Sequence, residues 1–206
     1  MKMLRGISHI TTMLLILCLT SLGCNENIKA KVNKPTVLLQ PLQFADTTTL
    51  QLLKDSVAHF YNVSVVIAAD KLFPAHAYYK PRNRYRADST IKWLKQLKPD
   101  SVRTIVGITN EDISVSKAEH KDYGVMGLGY SPGHVCIVST FRPSKTATSK
   151  RHLQQRMVKL VLHEMGHNFG LPHCSNETCF MVDAEGQMKL DQEKELCEAC
   201  RKKLKI

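Results

Sequence analysis

Hydrophobic side chains in the first half of the chain follow two periodicities in turn. Segments with helical spacing alternate with short β-branched runs that are typical of buried strands. The expected inner faces of two helices are Leu50, Leu53, Val57 and Phe60, then Tyr85, Ile91, Leu94 and Leu97, with Pro99 ending the second helix. Strands are predicted at residues 37–39, 63–69 and 104–109. This alternation of strand and helix predicts a layered α/β arrangement.

Two further strands are predicted in succession, without a helix between them. Residues 124–130 and 134–140 flank the turn sequence Ser131-Pro132-Gly133, which predicts an antiparallel hairpin at one edge of the sheet. A C-terminal helix is predicted from about Asp191, because aspartate is a favourable N-cap residue. Between the hairpin and that helix, another helix is predicted to begin between residues 146 and 150, with apolar positions Leu153, Met157, Leu160, Val161 and Leu162.

His163 and His167 lie four residues apart on this predicted helix. Such positions differ by about 40° around the helix axis and about 6 Å along it, so both imidazoles can reach one ion. Gly170 allows the helix to end and the chain to turn, because glycine adopts left-handed backbone angles at little cost. The turn is expected to bring His173 back as a third ligand. Three neutral histidines with one open position are the pattern of a catalytic zinc site.

Glu164 lies beside these histidines, where it can hydrogen-bond a water held by the metal rather than bind the metal itself. A zinc ion lowers the pKa of such a water toward about 7. Glu164 can then accept its proton and pass it to the leaving amine. The pattern predicts a zinc-dependent metallopeptidase that hydrolyses peptide bonds with Glu164 as general base. The alternative is a catalytically silent, zinc-stabilised module that binds peptides on the cell envelope.

The N-terminal residues resemble a bacterial export signal. Lys2 and Arg5 precede an apolar run at residues 10–22 that is too short for a comfortable membrane span. The run ends in Ser21-Leu22-Gly23-Cys24, which resembles a lipobox and predicts lipidation of Cys24. We expect a protein anchored in the bacterial cell envelope, with an ordinary cleaved signal and a secreted or periplasmic protein as the alternative. The expected segments are a signal peptide at 1–23, a lipidated cysteine and flexible tether at 24–34, and one domain at 35–206.

The chain is basic, with a formal charge of +11 that falls to +9 once residues 1–23 are removed, because that segment contains two basic residues and no acidic one. Much of the charge lies in residues 80–86, 145–151 and 201–205. A basic surface can favour nucleic acid or anionic lipid headgroups. Since no nucleic-acid motif accompanies the charge, we expect solvated basic faces and no nucleic-acid partner.

Seven cysteines are present. Cys136 is isolated in a predicted strand and is expected to be a buried apolar residue. Four others form a set that could hold a second, structural zinc ion as thiolates, or form two disulfides in an oxidising compartment. Composition does not decide between the two, and the export signal favours disulfides. The set is Cys174, Cys179, Cys197 and Cys200.

The sequence from His163 to Cys174 (HEMGHNFGLPHC), followed by Cys179-Phe-Met181 and the Cys-x-x-Cys pair at 197–200, resembles the signature of the archaemetzincins. These are a branch of the metzincin zinc peptidases. The resemblance extends upstream through residues 84–88, 105–112 and 137–142.

This resemblance implies a role for each matching residue. It implies catalytic zinc bound by His163, His167 and His173, with Glu164 as general base. It implies that the four cysteines hold a second zinc ion, although the segment between Met181 and Cys197 is slightly shorter than is usual in the family. It also implies that Met181 forms an apolar floor under the catalytic zinc, and that the hairpin at 124–140 provides an edge strand for substrate.

We therefore expect a single α/β (α+β) domain of the zincin or metzincin type. Its expected parts are a mixed twisted sheet with an antiparallel edge strand, an active-site helix and a C-terminal helix. We expect two zinc ions per chain, one catalytic and one structural. The expected partners are a peptide or protein substrate and, through the lipid anchor, a membrane, and the protein is expected to be a monomer.

Overall fold

The computed structural model describes residues 34–117 and 119–204. The predicted signal peptide, Cys24 and all of the predicted tether except Lys34 lie outside these residues. In chain order the elements are β1 (Thr36–Pro41), α1 (Thr47–Tyr61), β2 (Ser64–Ile67), β3 (Tyr78–Tyr79), β4 (Arg84–Arg86), α2 (Ala87–Leu97), β5 (Val102–Thr109), β6 (Ile113–Lys117), β7 (His120–Val125), β8 (Gly127–Gly129), β9 (Val135–Ser139), α3 (Phe141–Ser144), α4 (Lys150–Asn168) and α5 (Glu198–Leu204).

The main sheet has five strands in the order β2-β1-β5-β9-β8. The first four strands run parallel to one another, and β8 pairs antiparallel with β9 through the partners Gly127 with Val138 and Leu128 with Ile137. Strands β5 and β9 are almost wholly buried apolar runs, as expected of parallel strands covered on both faces. The predicted mixed sheet with an antiparallel edge is confirmed.

Two layers of helices cover the faces of this sheet. Successive residues of β5 point to opposite faces of the sheet, so alternate side chains contact one helix layer or the other. Val106 and Ile108 pack in a cluster with α1 and α4, whereas Ile105 packs in a second cluster with α2. Gly107 lies close against α2, where a β-carbon would come within 2.8 Å of Leu94 Cδ1. The sheet therefore holds α4 on the same face as α1.

A second, four-stranded sheet with the order β3-β4-β6-β7 was not predicted. The predicted strand at 124–130 is in fact divided, since its first two residues end β7 in the second sheet and residues 127–129 form β8 in the main sheet. The prediction for Tyr85 was also wrong. This residue lies in β4 rather than on α2, and its ring stacks on Phe73 with centroids 3.9 Å apart.

The basic segment at 80–86 is less solvated than predicted. The Nε atom of Arg84 lies 3.1 Å from the Asp112 carboxylate, which also accepts a hydrogen bond from Arg142 Nε at 3.0 Å. Arg86 donates to the Lys121 carbonyl oxygen at 2.6 Å. The contacts at Asp112 link the second sheet to α3, and the Arg86 contact joins β4 to β7 within that sheet, so part of the basic charge stabilises the fold.

Helix α4 begins where Ser149 accepts a hydrogen bond from the His152 N–H at 3.1 Å, within the predicted range for its start. It ends at Asn168, two residues before Gly170, whose φ of 92° lies in the left-handed region favoured by glycine. The Gly170 N–H donates to the His167 carbonyl oxygen at 2.9 Å. The predicted helix and the glycine turn after it are confirmed.

The C-terminal helix begins at Glu198 rather than near Asp191. Asp191 does not cap a helix, because its carboxylate accepts hydrogen bonds at 2.8 and 2.5 Å from Arg156, a side chain that is only 3% exposed. A buried guanidinium without such a partner would be strongly destabilising. Within the described residues, we find no helix long and apolar enough to cross a membrane.

Candidate metal centre and active site

The end of α4 and the turn after it bring three histidine rings together. The ring centroids of His163 and His167 are 4.7 Å apart, and His173 lies 5.5 and 4.8 Å from them. One nitrogen of each ring lies within 4.8 Å of the nitrogens of the other two. The structure therefore brings together the three ligands that the sequence predicted.

Each ring is oriented by a hydrogen bond at Nδ1. His163 donates to the Phe180 carbonyl oxygen at 2.6 Å, and His167 donates to the Leu171 carbonyl oxygen at 2.8 Å. Nδ1 of His173 lies 3.0 Å from the Asp183 carboxylate. Such partners fix the tautomer and leave Nε2 of each ring free to bind a metal.

The nitrogens that face the centre fit a cation. Carbonyl oxygens only accept hydrogen bonds, so Nδ1 of His163 and of His167 carries the proton and Nε2 carries a lone pair. Burial lowers the pKa of His163 to about 4, and it also lowers the pKa of His167, so both rings are neutral at physiological pH. Their two Nε2 atoms lie only 3.1 Å apart, where two lone pairs repel each other. A cation bound by both nitrogens would remove this repulsion.

Glu164 is buried beside the histidines, with 6% of its surface exposed. Burial raises the pKa of its carboxyl group to about 8, and the Gly129 N–H donates a hydrogen bond to that group. A β-carbon at Gly127 would lie 2.8 Å from Glu164 Cδ, and one at Gly129 would lie 2.6 Å from the Glu164 carbonyl oxygen. Strand β8 can approach the helix this closely because these two residues lack side chains.

Met181 lies beneath the pair of histidines. It is fully buried, and a β-carbon at Gly166 would lie 2.5 Å from its sulfur atom. The side chain thus packs against the backbone of α4 between His163 and His167. The role of Met181 as an apolar floor under the catalytic zinc stays a prediction.

The four cysteines of the predicted set also converge, with their sulfur atoms all within 4.8 Å of one another. Cys174 and Cys197 are 3.7 Å apart at sulfur, and all four are free thiols in the structure. Sulfurs around a tetrahedral zinc ion at about 2.3 Å would be roughly 3.8 Å apart. A disulfide requires about 2.05 Å. The spacing therefore suits a metal better than two disulfides.

The thiol of Cys197 is more acidic than an ordinary cysteine thiol. Hydrogen bonding, chiefly from the Cys200 N–H, lowers the pKa of Cys197 to about 7. Backbone N–H groups also donate to Cys179, from Met181 at 3.5 Å and from Cys197 at 3.4 Å. Such donors favour the thiolate, which is the form that binds a metal, but at Cys179 burial outweighs them and raises the pKa of the thiol.

A cavity of about 600 Å³ opens in front of Glu164 and the three histidines. It is bounded by α4, by strands β7 and β8 and by the segment 182–193. Asp183 lines the cavity and was missed by the sequence analysis, since nothing in the spacing indicates its contact with His173. Gly127 and Gly129 were missed too, although two glycines in a predicted edge strand signal a close approach of another element.

The chemistry of the site defines the class of protein. Neutral imidazoles favour zinc and related divalent metals, and three of them leave a coordination position open. The buried carboxyl group of Glu164 beside that position can accept and return a proton. The fold and site together define a metal-dependent hydrolase.

Comparisons with known proteins identify the family. The sequence model of peptidase family M54 matches residues 51–206. Archaemetzincin of Halobacterium salinarum is 30% identical over 155 residues, which cover 71% of this chain and 86% of that protein. The chain therefore belongs to peptidase family M54, the archaemetzincins, and it is a zinc metallopeptidase.

Solved structures support the same fold. The crystal structure of archaemetzincin from Methanopyrus kandleri matches with a TM-score of 0.73 at 23% identity, covering 86% of this chain and 97% of that one. Archaemetzincin from Archaeoglobus fulgidus, complexed with malonate, matches with a TM-score of 0.69 at 25% identity, covering 82% and 99%. The predicted zincin-type domain is confirmed, and the alternative of a silent peptide-binding module is not favoured.

The contact between Asp183 and His173 generates a prediction. Asp183→Asn should weaken zinc binding about 10- to 100-fold, because a carboxylate partner raises the basicity of a ligating imidazole. Competition with a chromophoric chelator measures this affinity. Asp55→Asn, an exposed change on α1, is the matched control. Unchanged zinc affinity in Asp183→Asn would show that the contact does not support the ligand.

Proposed function

We propose that His163, His167 and His173 bind the catalytic zinc ion and that Glu164 is the general base. The observation that carries this assignment is the 3.1 Å separation of the Nε2 atoms of His163 and His167, with both Nδ1 protons committed to carbonyl oxygens. Such a pair is stable when a cation is shared between the two lone pairs. His173 completes the set from the turn after α4.

The residues around the metal divide the chemistry among them. The contribution of a bound zinc ion is Lewis acidity, which lowers the pKa of a coordinated water toward about 7 and stabilises negative charge on a carbonyl oxygen. Glu164 accepts the proton of the attacking water and later transfers it to the leaving amine. The Gly129 N–H holds the carboxylate in position from β8. Met181 keeps the floor of the centre apolar.

Strand β8 supports binding of an extended peptide. It is the last strand of the main sheet. Within the described residues it pairs only with β9, so its other edge is not paired with a strand. An extended substrate can add to such an edge through main-chain hydrogen bonds. This would place a peptide bond across the cavity in front of Glu164. We therefore take peptides or unfolded protein segments as the substrates.

Glu164→Gln tests the assignment of the general base. The amide keeps the shape of the side chain but cannot take up the proton, so kcat should fall by about 10²–10⁴ while zinc remains bound. Cleavage of a peptide library and zinc content by atomic absorption measure the two effects. Glu177→Gln, an exposed change outside the cavity, should leave both unchanged. Turnover at the wild-type rate in Glu164→Gln would exclude Glu164 as the base.

The four-cysteine cluster is proposed to bind a second, structural zinc ion. Two observations support this. The four sulfur atoms lie within 4.8 Å of one another, and two backbone N–H groups donate hydrogen bonds to Cys179. The cluster also lies next to the catalytic centre, because the Cys174 N–H donates to the Met181 carbonyl oxygen at 2.8 Å. Two zinc ions per chain are therefore expected.

Cys200→Ser tests this second site. Zinc content should fall from about two ions per chain to about one, because a hydroxyl is a poor replacement for a thiolate ligand. Cys136→Ser lies outside the cluster and is the matched control. Two disulfides in the wild-type protein, shown by mass spectrometry after alkylation without reduction, would contradict a four-thiolate site.

We also propose that the protein is a lipoprotein of the bacterial cell envelope, lipidated at Cys24. The support is the sequence alone: a basic start, a short apolar run and the lipobox-like Ser21-Leu22-Gly23-Cys24. Cys24→Ser should abolish incorporation of labelled palmitate in a bacterial host and release the protein from the membrane fraction. Cys18→Ser, within the apolar run, is the control. Unlabelled wild-type protein in the soluble fraction would instead support a secreted or periplasmic enzyme.

A further inference from the structure

Glu193 is an acidic residue in the wall of the active-site cavity that the proposed mechanism does not use. It lines the cavity together with the apolar side chains of Leu160, Met188 and Leu190. Leu160 is one helical turn before Glu164 on α4, about 6 Å along the helix axis. The cavity therefore extends from the catalytic residues along α4 toward Glu193.

The Oε2 atom of the Glu193 carboxylate has no hydrogen-bond partner in the described part of the chain. The residue is only 5% exposed, and its Oε2 atom is buried without a hydrogen bond from any residue of 34–117 or 119–204. A buried carboxylate is normally paired, because loss of solvation without compensation is costly. Burial raises the pKa of Glu193 to about 7, while the charge of the nearby Lys159 acts in the opposite direction.

Lys159 is a nearby cation, but its ammonium group is engaged elsewhere. Lys159 Nζ donates to the carbonyl oxygens of Leu190 and Glu193, both at 2.6 Å, and donates no hydrogen bond to the buried Oε2 atom of Glu193. Asp191, two residues earlier, differs from Glu193 in this respect, because its carboxylate accepts two hydrogen bonds from Arg156. The segment is thus already fixed by its backbone and by Asp191. Glu193 is not needed to hold it in place.

The surroundings of Glu193 match a long basic side chain. Leu160, Met188 and Leu190 offer an apolar path for an aliphatic stem, and the carboxylate at its end offers a site for a charged head group. The four-carbon stem of lysine or the three-carbon stem of arginine can cover a distance of about one helical turn. A substrate cation would supply the partner that Oε2 lacks.

We propose that Glu193 is a specificity-determining residue that selects peptide substrates with lysine or arginine beside the cleaved bond. This inference rests on the proposed peptidase function and names the substrate class of the same site. Desolvated charge pairs discriminate strongly, because a neutral side chain leaves the buried carboxylate unsatisfied.

Cleavage of a randomised peptide library by the full-length protein, with the cut sites identified by mass spectrometry, tests the proposal. The wild-type protein should show lysine or arginine enriched at one fixed position beside the cleaved bond. In Glu193→Gln this enrichment should disappear, and kcat/KM for the best basic peptide should fall about 10- to 100-fold. The peptide with glutamine in place of the basic residue should lose no activity in Glu193→Gln, because it forms no ion pair with residue 193 in either protein.

Controls separate specificity from folding. Glu193→Gln should keep the zinc content and thermal stability of the wild-type protein, because it removes a buried charge without changing shape. Glu177→Gln carries the same change of net charge on an exposed residue outside the cavity, and should retain the basic preference. A uniform loss of activity on all peptides in Glu193→Gln would show a general role and overturn the proposal.

The outcomes also distinguish this inference from the proposed function. A wild-type protein that cleaves peptides without basic preference overturns the role of Glu193 and leaves the peptidase assignment intact. The same conclusion follows if Glu193→Gln keeps the preference. A zinc-loaded wild-type protein that cleaves no peptide overturns the proposed function and this inference with it.

Discussion

The active site depends on one constraint: the Nε2 atoms of His163 and His167 are held 3.1 Å apart with their lone pairs facing each other. Left alone, the rings of His163 and His167 would turn away from each other. They are held by hydrogen bonds at the opposite nitrogen, to Phe180 and Leu171, which lie on separate segments after α4. These hydrogen bonds orient the Nε2 lone pairs of both rings toward one point, where a cation would be bound by both nitrogens.

The segment around Met181 connects this constraint to the rest of the domain. Its Phe180 carbonyl oxygen orients His163, its Met181 side chain supports α4, and Cys179 belongs to the thiol cluster. Metal binding at the cysteines would therefore stabilise the position of a histidine in the other centre. On the other side of α4, β8 approaches Glu164 through two glycines, and the Gly129 N–H donates a hydrogen bond to the Glu164 carboxyl group.

The sequence predicted those parts of the molecule that rest on local periodicity. The active-site helix, the glycine turn, the three histidines and the four cysteines follow from spacing along one stretch of chain. The parallel strands and the β8–β9 hairpin were also visible as apolar runs with a turn between them. Contacts between distant segments were not predictable in this way. Tyr85 lies in a strand of the second sheet, where its ring stacks on Phe73. Asp191 accepts hydrogen bonds from the buried Arg156 instead of capping a helix. Asp183 and Glu193 gained their positions from the path of an irregular segment, which carries no periodic signal.

Anomalous diffraction at the zinc absorption edge, from crystals of the purified protein, tests the central claim most directly. The account predicts an anomalous peak about 2.0–2.1 Å from one nitrogen of each of His163, His167 and His173, with Nδ1 of the first two still bonded to Phe180 and Leu171. It predicts a second peak among the four cysteine sulfurs. A zinc-saturated crystal with no peak between the three histidines would contradict the account, because the arrangement of their lone pairs would then have another cause.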